Sequence, residues 1–180
     1  MIQVALLRAV NVGGTGKVPM ADLRAAAEKA GLKDPRTLIA SGNLLFDAGA
    51  RTPAASEKLL EAVCDKTFGL RTEIYVRTHA DLKAVVARNP FLKEAKDGPA
   101  LLHVLFMREA PEAKAFKALQ AWIKGPEQVR GDSKHAYISY PDGAGQSKLT
   151  PAVIERHLGH AGTARNWNTV RKLLALSADG

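Results

Sequence analysis

The stretch Leu6-Leu7-Arg8-Ala9-Val10-Asn11-Val12-Gly13-Gly14-Thr15-Gly16-Lys17-Val18-Pro19 decides how this chain is read. The apolar run Ile2–Val10 predicts a strand buried on both faces, broken only by the charge at Arg8. A loop with three glycines and a lysine follows, and Pro19 is expected at the first position of a helix. A strand, a glycine-rich loop and a helix start are what an anion requires, because backbone N–H groups and the helix dipole converge there.

Working outward, Met20–Ala30 is alanine-rich and Gly31 stands just past its end, so a helix is expected. Arg36–Ala40 and Leu44–Asp47 read as strands separated by Ser41-Gly42-Asn43, a tight hairpin signal. Thr52-Pro53 opens a helix to about Phe68, and Arg71–Arg77 alternates as a strand. The order is β-α-β-β-α-β, the ferredoxin-like plait. After a short helix around Val85 and Val86, ended by Asn89-Pro90, the pattern begins again. Strands are expected at 100–107, 127–130, 135–140 and 162–165, with a turn at 131–134. Helices are expected at 111–122, 151–158 and 169–176. The fold class is therefore α+β: two ferredoxin-like plaits, residues 1–78 and 79–180, the second with a linking helix and an extra C-terminal helix. The halves share element order and no close sequence repeat.

This topology brings polar segments together. Right-handed crossovers make the first two strands of a plait run the same way. Arg8, Asn11, the Gly13-Gly14 loop and Lys17 should then lie beside Ser41-Gly42-Asn43. By the same logic, the loop 142–148 and the segment Arg165-Asn166-Trp167-Asn168-Thr169 should share one end of the second sheet.

Composition narrows the class. The 180 residues are 46% hydrophobic and 24% charged, ordinary for a folded domain, with a net charge of +8. Residues 144–177 hold Lys148, Arg156, Arg165, Arg171 and Lys172 against Glu155 alone. Such an excess favours polyanions or anionic small ligands, although a merely soluble basic surface has the same composition. A single cysteine excludes an internal disulfide and a cysteine-rich metal site, and Cys64 sits among apolar residues at helical spacing as a core residue. No apolar run is long enough to cross a membrane, and the N-terminus lacks the pattern of a signal peptide, so a cytoplasmic location is expected with no membrane partner.

The motifs exclude several chemistries. The glycine loop is no Walker motif, since Asn11 stands where the first glycine belongs and Val18 where a hydroxyl belongs. The five histidines show no ligand spacing, so no metal is expected, and no motif calls for a cofactor. Ser41 lacks a nucleophile elbow, and no catalytic residue stands out. Arg8, ending a buried strand, needs either a salt bridge, for instance to Asp47, or a ligand. In Arg165–Thr169, arginine and tryptophan can stack on a base while the asparagines read its edges. The structural alternative has Asn168 capping the last helix and Trp167 anchoring it.

Taken together, the segments Leu7–Gly14, Lys17-Val18-Pro19-Met20, Ala40-Ser41-Gly42-Asn43 and Thr163–Val170 resemble a bacterial family known as domain of unknown function 1697. The resemblance spans nearly the whole chain and implies two ferredoxin-like subdomains, but no activity, substrate or catalytic residue. The family more usually reads R-G-I-N-V-G-G in the first segment, so Ala9 replaces a glycine. On these grounds a module binding nucleic acid or a nucleotide-like anion is expected. In it Arg8 and Lys17 would meet phosphate, Gly13 and Gly14 would offer N–H groups, and Trp167 would stack. The rival is an enzyme acting on a phosphorylated small molecule, clamped by Arg8, Lys17 and Arg165 and oriented by Asn11, Ser41, Asn43 and Asn168. A protein–protein scaffold is the third reading. The sequence sets no oligomeric state.

Overall fold

A computed structural model describes residues 1–178. Its contacts divide the chain into two compact units, Met1–Lys83 with the stretch from Lys172 onward, and Ala84–Arg171.

The first unit is built on β1 (Ile2–Leu7), α1 (Met20–Lys29), β2 (Lys33–Thr37), β3 (Asn43–Asp47), α2 (Pro53–Phe68) and β4 (Ile74–Thr78). The sheet order is β2-β3-β1-β4 with every neighbouring pair antiparallel, the ferredoxin-like arrangement. β1 is shorter than the apolar run suggested. It stops at Leu7 because Ala9 and Asn11 turn into left-handed backbone, while Val10 remains buried beyond the strand. Pro19 falls at the N-cap of α1 with extended backbone, one residue before the expected position. β2 lies three residues earlier than predicted, and its loop to β3 is correspondingly longer. A bulge at Asp34 lets Lys33 pair with Asp47 while Arg36 pairs with Leu45. Thr52 caps α2, accepting from the Ala55 N–H, and Gly69 ends it.

The second unit repeats the order. It contains α4 (Leu92–Asp97), β5 (Leu102–Met107), α5 (Ala113–Trp122), β6 (Gln128–Asp132), β7 (His135–Ser139), α6 (Pro151–Leu158) and β8 (Gly162–Asn166), with strand order β6-β7-β5-β8. The β6–β7 turn is only Ser133-Lys134, since Gly131 and Asp132 pair within β6. Along the chain α3 (His79–Ala87) connects β4 to α4, and α7 (Trp167–Ser177) follows β8. α4 has no counterpart in the sequence reading, because six residues show too little periodicity.

The central strands explain the core. In the first unit Ala5, Leu7, Leu44, Phe46, Ile74 and Val76 face Leu23 and Ala27 of α1 and Leu60 and Cys64 of α2. Val4, Leu6, Leu45, Tyr75 and Arg77 point the other way and are buried as well. In the second unit Leu105, Met107, Ala136 and Ile138 meet Leu119, Ile154 and Leu158. Val104, Phe106, Tyr137 and Arg165 on the reverse face are also buried. The central strands therefore have no open face, whereas the edge strands β2 and β6 are largely exposed.

The halves are more alike than their sequences. Val4 of β1 pairs with Arg77 of β4, and Val104 of β5 pairs with Arg165 of β8. Each arginine is the fourth residue of its strand, is buried, and donates from Nη1 to the carbonyl of the preceding residue at 2.9 Å. Burial lowers both guanidinium pKa values, that of Arg165 to about 10. The next residue caps the following helix in both cases. Thr78 Oγ1 accepts from the Asp81 N–H at 3.1 Å, and Asn166 Oδ1 accepts from the Thr169 N–H at 3.0 Å. Each plait thus ends in the same strand-to-helix junction, so α3 is the counterpart of α7.

Two predictions follow from this packing. Arg77→Ala and Arg165→Ala should destabilise alike, by about 2–4 kcal/mol each, because a buried hydrogen-bonded side chain is lost in both; denaturant titration compares them directly. Burial, with Glu61 nearby, raises the Cys64 thiol from its ordinary 9.0 to about 11. The folded state therefore retains that proton where the unfolded state releases it. The corresponding stability is complete below pH 9.0 and is lost as pH rises toward about 11. Iodoacetamide at about pH 8 should leave the native thiol intact and label it on unfolding.

Candidate functional site

One end of the first sheet collects Arg8, Asn11, Gly13, Gly14, Lys17, Ser41, Gly42 and Asn43. The antiparallel register dictates this. Leu6 pairs with Asn43, and the Leu7 N–H donates to the Gly42 carbonyl at 2.9 Å. The loop after β1 and the loop after β2 therefore leave the sheet at the same edge.

Asn11 ties these loops together. Its Nδ2 donates to the Val18 carbonyl at 2.9 Å and to the Ala40 carbonyl at 2.7 Å, while its Oδ1 accepts from the Val18 N–H at 2.9 Å. Between those anchors the chain forms a small hairpin. The Asn11 N–H meets the Gly16 carbonyl at 3.0 Å, and the Thr15 N–H meets the Val12 carbonyl at 3.1 Å. Gly13 and Gly14 occupy the turn with φ of 59° and 78°, both left-handed as a type I′ turn requires. The loop is therefore an exposed hairpin tip rather than a cradle folded over the start of α1. Gly13, Gly14 and Lys17 are exposed, and Lys17 has no ion-pair partner among the described residues.

Gly42 plays a different part. Its φ is 84°, and a Cβ there would lie 2.5 Å from Val10 Cγ2 and 2.9 Å from Leu7 Cβ. Asn43 is fully buried, and its Nδ2 donates to the Leu38 carbonyl at 2.8 Å and to Ser41 Oγ at 3.2 Å. Ser41 is itself exposed. Asn11, Gly42 and Asn43 are thus engaged in holding the loops, while the outward-facing groups are Gly13, Gly14, Lys17 and Ser41.

Arg8 finds an acidic partner that sequence reading missed. Its Nη1 lies 2.8 Å from Glu73 Oε2, and the same oxygen accepts from the Tyr75 hydroxyl at 3.1 Å. Asp47 cannot serve, because it pairs with Ile2 at the opposite end of β1 and meets the N-terminal ammonium at 2.6 Å. Thr72 Oγ1 also donates to the Arg8 carbonyl. The signal was available in principle: an antiparallel β1–β4 pair sets Leu7 opposite Ile74, which brings Glu73 beside Arg8. The recess flanking Glu73 is lined by Glu61, Asp65, Arg71 and Thr72, an acidic setting that does not suit an anion.

The Arg165–Thr169 segment lies at the end of β8, in the second unit. Arg165 Nη1 donates to Thr163 Oγ1 at 2.9 Å as well as to the Ala164 carbonyl. The helix begins at Trp167, so the capping residue is Asn166 and not Asn168, which is an exposed residue of the first turn. Trp167 is 4% exposed and Thr169 is buried. The indole has little free face to offer a base. Tyr137 and Tyr140 are buried too, their hydroxyls donating to the Val85 and Leu149 carbonyls. Among the described residues no three His, Cys, Asp or Glu side chains gather as a metal cluster, and no helix is long and apolar enough to cross a membrane.

The glycines separate two kinds of position in the first cluster. Gly42→Ala should cost about 2–4 kcal/mol, from left-handed strain and overpacking together. Gly13→Ala should cost only about 1 kcal/mol, because nothing lies within 4 Å of the added Cβ. Ala9, with φ of 52°, stands in the backbone region that favours glycine. Ala9→Gly should therefore gain up to about 1 kcal/mol. Thermal unfolding of the three variants checks the order.

Among solved structures the chain resembles the conserved bacterial protein SP0830 from Streptococcus pneumoniae. Identity is 22%, with a TM-score of 0.74 over 98% of each chain. At that identity the likeness shows the fold alone. No curated protein matches the chain. The family model described as "Protein of unknown function (DUF1697)" matches residues 1–137, which include the whole first cluster and stop before the Thr163–Val170 segment. With residues 1–137 of 180 inside that match, the chain belongs to the DUF1697 family.

Proposed function

We propose that this protein binds nucleic acid, or a nucleotide-like anion, through phosphate contacts at the hairpin between β1 and α1. One observation carries the reading. The exposed Gly13-Gly14 turn presents backbone N–H groups that no described residue accepts, within a few residues of the unpaired Lys17. Exposed N–H groups of a tight turn can donate to an oxyanion. Glycine loops that approach a phosphodiester backbone in RNA-binding modules use the same chemistry. The net charge of +8 supplies the long-range attraction. Burial of Trp167, Tyr137 and Tyr140 takes these three rings out of base stacking, so the reading is carried by the phosphate contacts.

The rival reading, an enzyme acting on a phosphorylated small molecule, gains one support. Glu73 supplies a carboxylate at the same end of the sheet, held between Arg8 and Tyr75, where sequence reading found no base. Under that reading a phosphorylated metabolite should raise Tm and be turned over, and Glu73→Gln should abolish turnover while leaving the Tm shift.

Binding of a short labelled single-stranded RNA, measured against salt, tests the preferred reading. Wild type should bind saturably at low salt. Lys17→Glu should weaken binding across sequences, and Lys17→Ala should reduce the salt slope by about 1. Absence of saturable binding at low salt, or indifference to Lys17→Glu, overturns it. Arg165 makes a poor probe, because replacing it disturbs a buried junction.

A further inference from the structure

The loops that carry the proposed phosphate site also display two aliphatic side chains that the packing does not use. Val12 is 61% exposed and Ile39 is 54% exposed. They stand on different loops, each one residue away from the 2.7 Å hydrogen bond between Asn11 Nδ2 and the Ala40 carbonyl. The two loops thus each carry one exposed aliphatic residue where they are tied together, and Val12 immediately precedes the Gly13-Gly14 turn.

Ile39 is held there against its own preference. Its φ is 52°, a left-handed conformation that β-branched residues avoid because the branch crowds the backbone. The flanking residues impose it. The Leu38 N–H donates to the Asn43 carbonyl at 3.1 Å, and Asn43 Nδ2 returns to the Leu38 carbonyl at 2.8 Å. A glycine or asparagine would suit this backbone better, and a polar residue would suit this exposure better. Strain at a position that leaves more than half of the side chain in solvent is an outlier that points to a contact role as a hypothesis.

We infer that Val12 and Ile39 pack against the unpaired bases of a single-stranded nucleic acid whose phosphates meet the Gly13-Gly14 turn and Lys17. This deepens the phosphate-binding reading above and rests on it. Lys17 beside the turn and the net charge of +8 favour a polyanionic partner. The exposed aliphatic pair then narrows its class. Inorganic polyphosphate has charge but no apolar face, whereas single-stranded nucleic acid alternates phosphates with exposed, weakly hydrated base faces. Aliphatic side chains wedge between the stacked bases of duplex DNA in architectural proteins, and the bases of a single strand are more accessible to the same apolar contact.

The experiment compares two probes and two variants. A labelled single-stranded oligonucleotide is titrated directly, and inorganic polyphosphate is used as a competitor. Val12→Thr keeps shape but removes apolarity, and Ile39→Gly removes the side chain while relieving the strain. Both should unfold at the wild-type temperature or, for Ile39→Gly, higher, which separates a contact role from a structural one. The double variant should bind the oligonucleotide about tenfold more weakly with polyphosphate affinity unchanged. Unchanged oligonucleotide affinity in the double variant, with binding still lost in Lys17→Glu, overturns this inference and leaves the phosphate site standing. Failure of wild type to bind either polyanion overturns both. Sedimentation with vesicles of anionic phospholipid provides the remaining arm. If the variants lose vesicle binding while keeping oligonucleotide affinity, the aliphatic pair belongs to a membrane contact and the inference fails.

Discussion

Everything in each unit depends on a central strand buried on both faces and paired antiparallel on both edges. β1 in the first plait and β5 in the second have no solvent-facing side of their own. Their backbone groups can be satisfied only by neighbours in strict register, since a slip of one residue would exchange the two buried faces. That register decides which loops meet. Leu6 opposite Asn43 brings together the β1–α1 and β2–β3 loops, and His103 opposite Asn166 sets where β8 ends. The ends of the sheets are where side chains escape the core, so the candidate chemistry is confined there.

The same constraint accounts for the matched arginines. A guanidinium buried on a sheet face is costly unless its N–H groups are answered nearby. Arg77 and Arg165 each turn back to the carbonyl of the preceding residue, and a cap follows at once to start a helix. What looked in sequence like a base-reading cluster at Arg165–Thr169 has a structural twin at Arg77–Asp81. Asparagine, arginine and tryptophan close together make a junction here before they make a ligand site.

This explains which parts of the molecule were legible in sequence. The plait order was readable because turn and cap residues punctuate it: Thr52-Pro53 and Thr150-Pro151 open helices, and Gly69 and Gly159 close them. The β2 position was not, since Lys33-Asp34-Pro35-Arg36-Thr37 is an exposed edge strand with a bulge and carries no apolar alternation. The meeting of the first two loops followed from topology alone. The partner of Arg8 did not, because Glu73 lies 65 residues away and is brought close only by the β1–β4 register. The repeat of element order was legible, but the shared arginine–cap junction was not, because one buried arginine and one cap, set in dissimilar strands, leave almost no sequence signal. The Ile39 strain is likewise invisible in sequence, because no composition rule places isoleucine in a left-handed turn.

These distinctions also rank the residues of the first cluster. A side chain whose hydrogen bonds are already taken up within the fold contributes position, and removing it alters shape before it alters binding. Asn11, Gly42 and Asn43 are of that kind. Gly13, Gly14 and Lys17 are exposed with their donors unanswered among the described residues, and Val12 and Ile39, on the same two loops, keep more than half of their surface in solvent. Left-handed backbone at Ala9, Asn11, Gly13, Gly14, Gly16, Ile39 and Gly42 is what lets two short loops present cationic, amide and aliphatic groups within one small area. Seven left-handed residues gather in these two loops, the others of the first plait lying at turns, a bulge and helix ends at Gly31, Asp34, Gly49 and Gly69, so the proposed contact surface is where unusual backbone is densest.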